Sequence, residues 1–279
     1  MDPLYNKISH ACSKKVTATY STSFSLAVRM LAPSIRQAIH NIYGFVRFAD
    51  EIVDTFHEWD KKYLLDKFEE DFYEALEMGI SLNPILNSFQ QTVKEYHIDR
   101  HLVDAFLKSM RMDLVQGDYV NRSDYETYIY GSADVVGLMC LKVFVNGDAE
   151  KYEALKESAM RLGSAFQKVN FLRDLKSDIE ILNRSYFPNV DLNNLSFESK
   201  QVIIAEIEED FREAYKGIVK LPKSSKFGVY TAFIYYKKLL HKLKRTPTEH
   251  IMDSRIRVSN PIKLSLLVKS YFNIKLNLV

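Results

Sequence analysis

The sequence predicts an all-α fold, a helical bundle in which residues 1–279 form one domain. Three observations carry that expectation. Breakers are few, 9 Gly and 7 Pro in 279 residues, which favours long helices over a turn-rich β fold. Helix start and stop signals recur along the chain. No convincing strand pattern appears, apart from a short extended piece expected at 255–258, and no repeat or Pro/Ser-rich linker divides the chain.

The elements follow in order. Ser34 with Gln37 three residues on reads as a capping box opening a helix over 35–56. A second helix runs from about Asp60 to Met78 and stops at Gly79. Asn83-Pro84 reads as a cap followed by proline at the first helical position. Asp99 and Ser123 start two more helices, and 148–182, 197–219 and 225–244 are helical in pattern. The C-terminal stretch IKLSLLVKSYFNIKLNLV is apolar with scattered lysines. It reads as a packing helix, with peripheral contact to a membrane surface as the alternative.

Composition narrows the class. Hydrophobic residues make up 47% and charged residues 27%, the balance of a globular protein. The 17 Tyr and 17 Phe would fill a core or line a large apolar cavity. A net charge of +2 without a basic stripe points away from nucleic acid. Cys12 and Cys140 form neither a metal spacing nor a disulfide framework, which fits a reducing cytoplasm. The N-terminal residues lack the apolar core of a signal peptide, and no run of about 18 apolar residues would span a membrane. Oligomeric state is left open.

Two helices carry polar stripes where apolar residues are expected. In IYGFVRFADEIVD, from Ile42 to Asp54, apolar side chains cover most of the circumference, the pattern of a buried helix. Yet Tyr43, Arg47, Asp50 and Asp54 recur at spacings of four, three and four and share one face. In FQKVNFLRDLKSD, from Phe166 to Asp178, Gln167, Asn170, Asp174 and Asp178 do the same at three, four and four. Acidic pairs four apart usually face solvent, and Glu206 with Asp210 is expected to do so. In an apolar setting, two carboxylates 4 Å apart repel by about 4 kcal/mol at an effective dielectric of roughly 20. A cation must offset this, and neutralising one carboxylate as Asn would relieve it. Carboxylate oxygens suit Mg²⁺, which keeps waters and is completed by substrate phosphates. Two such helices facing each other would hold metal and a diphosphate between them.

At these residues, and from about Tyr20 to Leu267, the sequence resembles the squalene/phytoene synthase family. The family's first aspartate motif matches Asp50-Glu51-Ile52-Val53-Asp54, and its second matches Asn170-Phe171-Leu172-Arg173-Asp174, continuing to Asp178. Tyr20-Ser21-Thr22-Ser23-Phe24 resembles the flap near the diphosphate. Met110-Arg111-Met112-Asp113-Leu114 resembles a phytoene synthase segment, and Tyr128-Ile129-Tyr130-Gly131 with Gly137 resembles the kinked central helix. Arg184-Ser185-Tyr186-Phe187-Pro188 is similar to the loop after the second motif, and Arg255-Ile256-Arg257-Val258 to the C-terminal signature. Asp134 stands in the central helix where the family usually has Gly.

The resemblance implies an isoprenoid-synthase-type helical bundle with a central cavity. It implies prenyl diphosphate substrates and a Mg²⁺ cluster, with Mn²⁺ as the alternative metal, held by Asp50, Asp54, Asp174 and Asp178. Arg47, Arg173 and Arg255 are the implied diphosphate partners, since a guanidinium matches phosphate oxygens as a fork; the alternative is an ion pair with the aspartates. Tyr43, Tyr128, Tyr186 and Tyr236 would hydrogen-bond diphosphate or face a carbocation; the alternative, a core tyrosine with a satisfied hydroxyl, is favoured at Tyr236. Ser21, Phe24, Gln167 and Asn170 complete the site by match, with Asn170 also able to tie two helices together.

The implied reaction is head-to-head condensation of two geranylgeranyl diphosphates to phytoene, through a cyclopropylcarbinyl diphosphate and without NADPH, in carotenoid biosynthesis. One alternative is squalene or dehydrosqualene synthesis from farnesyl diphosphate. A non-enzyme alternative, an inactive family member acting as an assembly factor, predicts eroded aspartates, and all four are present.

Overall fold

The computed structural model describes residues 3–115, 121–180, 186–188, 195–251, 256–276 and 278, without the side chains of 177–180. The described residues are helical and contain no strand; residues 256–259, where an extended piece was expected, are irregular. The helices are α1 (Pro3–Tyr20), α2 (Thr22–Arg29), α3 (Pro33–Thr55), α4 (Lys61–Met78), α5 (Pro84–Glu95), α6 (Arg100–Val115) and α7 (Arg122–Ile129). A π-helical turn at Tyr130–Asp134 leads into α8 (Val135–Phe144), followed by α9 (Ala149–Glu180), α10 (Phe197–Ile218), α11 (Lys223–Arg245), the short α12 (Thr248–Ile251) and α13 (Asn260–Lys275).

Local chemistry sets several of the ends. Asp60 caps α4 by accepting from the Tyr63 N–H at 2.9 Å, and Gly79 closes it in the left-handed region at φ 79°. Asn83 caps α5 ahead of Pro84, as expected. Ser34 does not cap α3. That helix begins two residues earlier than expected, at Pro33, whose fixed φ suits the first helical position, and the Ala32 N–H bonds the Ser224 carbonyl at 2.8 Å. Likewise α7 is capped by Asn121 rather than opened by Ser123.

Helix α1 is absent from the sequence-based expectations. Its buried residues are Ser9, Ser13 and Thr17, a hydroxyl stripe at spacing four rather than an apolar one. Two of the three are satisfied across the interface with α5, by Ser13 to Ser88 at 2.7 Å and by Asn87 donating to Ser9 at 3.0 Å, while Thr17 donates to the Ser13 carbonyl of its own helix at 2.9 Å.

The core is continuous through the bundle. Phe45 of α3 stacks on Phe89 of α5 at 4.1 Å and contacts Phe68, Phe72 and Phe106 from α4 and α6. The central helix approaches its neighbours closely at two glycines. A Cβ on Gly131 would lie 2.6 Å from the Ala105 carbonyl oxygen, and one on Gly163 would lie 2.6 Å from that of Ala133.

Asp134, in the π turn, is buried and accepts a 2.6 Å bond from Ser164 Oγ. Burial pushes its pKa up to about 7, against the opposing pull of the Ser164 bond and of Lys168. Asp210, expected to face solvent, is buried too. It pairs with Lys168 at 2.6 Å and with Arg161 at 3.1 Å, while Glu206 pairs with Lys168 at 2.6 Å and Arg122 at 3.2 Å. The cations come from α9 and α7, so the pattern of α10 alone does not reveal them.

Candidate active site

Helix α3 is buried on most sides by Ile42, Phe45, Ala49, Ile52 and Val53. Tyr43, Arg47, Asp50 and Asp54 are only half-buried, so the predicted stripe lines the one face that the core does not cover. Helix α9 repeats the arrangement: Val169, Phe171, Leu172 and Leu175 are buried, while Gln167, Asn170, Arg173 and Asp174 are half-buried.

Between them lies a cavity of about 340 Å³. Its walls are mainly apolar, with Val28, Leu31, Val136, Phe144, Leu155 and Leu162 among them. Its polar lining includes Tyr43 and Asp50 from α3, Gln167 and Asn170 from α9, and Tyr236 from α11. Phe24 and Tyr128 also line it. Along α9 the lining runs from Leu155 to Asn170, fifteen residues or about 22 Å of helix.

Several contacts join the two stripes. The Tyr236 hydroxyl donates to Asn170 Oδ1 at 3.2 Å, and its ring stacks on Phe166 at 4.0 Å. Tyr43 lies close enough to Tyr236 for the Tyr236 phenol to influence its ionisation, and its hydroxyl meets Ser21. Phe24 stacks on Tyr43 at 4.8 Å, and Ser21 itself caps α2 by accepting from the Phe24 N–H at 3.2 Å. Burial pushes the Tyr43 pKa up to about 12; Arg47 opposes this and Asp50 adds to it. Tyr236 is raised as well, first by burial. Both phenols are therefore neutral hydrogen-bond donors at neutral pH.

The arginines are engaged by carboxylates. Arg47 pairs with Glu51 and lies 3.9 Å from Asp50, with its guanidinium over the Tyr20 ring at 4.4 Å. Burial works against its charge, but Asp50 and Glu51 outweigh that and hold its pKa above the usual value. Arg173 pairs with Asp174 through two hydrogen bonds, with the same balance of burial against the carboxylate. The ion-pair alternative thus describes both arginines in this structure. Asp54 lies half-buried at the next position of the α3 stripe.

Tyr128 donates to Asp113 Oδ2 at 2.9 Å. Asp113 lies in a segment that carried a resemblance but no assigned role; only a fold brings it to Tyr128. Tyr186 is buried outside the cavity lining, stacked on Phe171 at 3.9 Å and on Tyr128 at 5.4 Å. Arg255 lies outside the described residues, as does the side chain of Asp178.

Asp50, Asp54, Asp174 and the Asn170 amide oxygen are hard oxygen donors, the type that Mg²⁺ takes. Among the described residues no three carboxylates, imidazoles or thiols form a closed metal cage. Mg²⁺ keeps waters and shares substrate phosphates, so carboxylates presented openly on two helices fit it.

Comparison with known proteins places this arrangement. Residues 17–261 match the model of the squalene/phytoene synthase family. Phytoene synthase 1 (chloroplastic) of Solanum lycopersicum is 27% identical over 92% of this chain, and the chain spans 66% of that relative. A phytoene synthase of Arthrospira platensis is 28% identical, covering 87% of this chain and 86% of the relative. The crystal structure of a dehydrosqualene synthase in complex with ligand superposes with a TM-score of 0.84 at 20% identity, covering 97% of this chain and 98% of its own. That structure shares the helical fold. With a family match covering both stripes and the cavity between them, the chain belongs to the squalene/phytoene synthase family.

Proposed function

We propose that this protein condenses two geranylgeranyl diphosphates head to head to give phytoene. The observation that carries the reading is the pairing of a long apolar cavity with a polar end where Asp50, Gln167 and Asn170 line the wall and half-buried Asp54 and Asp174 follow one turn on along the same helices. A prenyl diphosphate has that same division, an apolar chain and a polyanionic head. About 22 Å of lining along α9 leaves room for an extended twenty-carbon chain. The matched phytoene synthases support the choice of product.

Asp50, Asp54, Asp174 and Asp178 would hold Mg²⁺, with Asn170 beside them. Bound there, the metal would neutralise and orient the leaving diphosphate as a Lewis acid. The chain's own residues do the rest. Tyr43 and Tyr236, neutral at working pH, donate hydrogen bonds at the polar end. Arg47 and Arg173 turn from the carboxylates to the diphosphate as substrate and metal enter. The apolar walls exclude water, which would otherwise quench an allylic cation, and the Phe24, Tyr43 and Phe166 rings present π faces to positive charge. The double bond of the second substrate attacks this cation, and loss of a proton closes the ring to give a cyclopropylcarbinyl diphosphate. That ionises, rearranges and loses a second proton to form a hydrocarbon with a central conjugated triene. With its pKa pushed to about 12 the Tyr43 phenol stays protonated at neutral pH and offers no phenolate as a base, so the released diphosphate takes the protons lost in the two steps. No reductant is consumed.

The test follows diphosphate release from geranylgeranyl diphosphate as divalent metal is removed by a chelator and restored. Release should stop and resume with Mg²⁺; release at full rate in chelator would refute the reading.

A further inference from the structure

Helix α13 packs along α11 in antiparallel fashion: Asn273 donates to the Tyr230 hydroxyl at 2.9 Å, Tyr271 meets Phe227 edge-on, and Lys263 lies over the Tyr235 ring. The expected packing role is therefore met, but by one side of the helix only. Leu264, Val268, Phe272 and Leu276 recur every four residues on the opposite side, and all are exposed, Leu264 by 62% and Phe272 by 54%. Among the described residues, seven of the nineteen exposed large hydrophobic residues lie between 262 and 278. Elsewhere such residues are spread over many helices and loops, whereas here they form one continuous stripe. A contiguous apolar surface of this kind marks an interaction site.

The charges around the stripe identify its partner. Helices α11 and α13 together carry ten lysines and arginines and no acidic residue, in a chain with 38 basic and 36 acidic residues. Of these ten cations, Lys244 alone meets a described carboxylate, that of Glu208. Lys269 and Lys275 are exposed and flank the apolar stripe, and Tyr271 sits at its edge, half exposed. An apolar stripe rimmed by cations and an amphipathic aromatic, with no acidic residue, matches the interface of an anionic bilayer in both polarity and charge. A protein partner or a second copy of this chain would need to supply carboxylates to meet the same cations.

We propose that the exposed face of α13 docks the protein onto an anionic lipid surface, lying in the plane of the headgroups. The opposite side of α11 lines the cavity through Gly228, Val229, Ala232 and Tyr236. Docking would thus set the cavity one helix away from the lipid phase, where water-insoluble prenyl chains and hydrocarbon products partition. This last consequence rests on the prenyl-substrate reading; the binding does not.

The test is co-sedimentation of the full chain with vesicles of phosphatidylcholine alone and of phosphatidylcholine containing about one-third phosphatidylglycerol. The protein should sediment with the anionic vesicles and be released by high salt. Lys269→Gln with Lys275→Gln should weaken that binding about thirtyfold, at about 1 kcal/mol for each lysine near an anionic surface. Leu264→Glu with Phe272→Glu should abolish it, while the thermal midpoint and turnover on detergent-dispersed substrate stay at their original values. Equal binding to neutral vesicles, or no binding to either, would overturn the proposal. So would a finding that Leu264→Glu with Phe272→Glu splits a dimer in analytical ultracentrifugation without affecting vesicle binding, which would assign the face to a second copy of the chain.

Discussion

The Tyr236 hydroxyl donates to Oδ1 of Asn170 across 3.2 Å, fastening α11 to α9 at the polar end of the cavity. Both alternatives weighed for these residues hold at once: Asn170 ties two helices together, and Tyr236 has a satisfied hydroxyl, yet each also lines the cavity. The bond orients the Asn170 amide one turn before Asp174.

Tyr236→Phe should therefore act on positioning more than on folding. Losing one partly buried hydrogen bond costs about 1 kcal/mol, and misplacing Asn170 should lower turnover by about tenfold or more. Thermal unfolding and single-turnover kinetics measure the two separately. A variant with wild-type turnover would show that the bond does not position the site.

Asp54→Asn and Asp174→Asn should both lower turnover by about a hundredfold or more, because each removes a charge offered to metal, but their stabilities should diverge. The Arg173–Asp174 ion pair reverses the expectation that Asn at 174 relieves repulsion. With side chains only 16% and 19% exposed, losing one partner leaves a largely buried guanidinium, a cost of about 2 kcal/mol or more. Adding Arg173→Gln to Asp174→Asn should recover much of that stability and none of the activity. Chemical denaturation of the three variants checks the pattern.

Asp134 should make stability depend on pH. Its folded pKa, about 7, is raised above the ordinary 3.8 by burial, so between these values the native state binds the proton more tightly than the unfolded chain does. The contribution is fully present below about pH 4 and is lost as pH rises through about 7, on the order of 4 kcal/mol in all. Asp134→Asn keeps an acceptor for Ser164 and removes the charge. The variant should gain stability relative to the parent as pH increases from 5 to 8; parallel stability curves would contradict this.

Gly163→Ala should disturb the π turn. The added Cβ would sit 2.6 Å from the Ala133 carbonyl oxygen and 3.2 Å from the Asp134 Cα, both backbone atoms that cannot swing aside. A cost of about 1–3 kcal/mol is expected, read as a lower unfolding midpoint, with a larger relative loss in turnover because Ala133 and Gly163 both line the cavity.

Much of the site was legible because it is written in single helices. A charged stripe on an otherwise apolar helix is a local signal, and Tyr43, Asp50, Gln167 and Asn170 do meet at one cavity. The ends of α4 and α5 were legible for the same reason, since Asp60, Gly79 and Asn83-Pro84 act within their own turns. What depends on partners far along the chain was not. Ser9 and Ser13 of α1 look like surface hydroxyls until Asn87 and Ser88 cover them. Asp210 looks like a surface acid until Lys168 and Arg161 arrive from α9. Asp113 has no evident task until Tyr128 reaches it.

The most direct test of the central claim supplies farnesyl and geranylgeranyl diphosphate, separately and together, with Mg²⁺ and with or without NADPH, and weighs the extracted hydrocarbon by mass spectrometry. The account predicts a forty-carbon hydrocarbon with a central conjugated triene from geranylgeranyl diphosphate, formed equally well without NADPH. A thirty-carbon product that appears only with NADPH would contradict it.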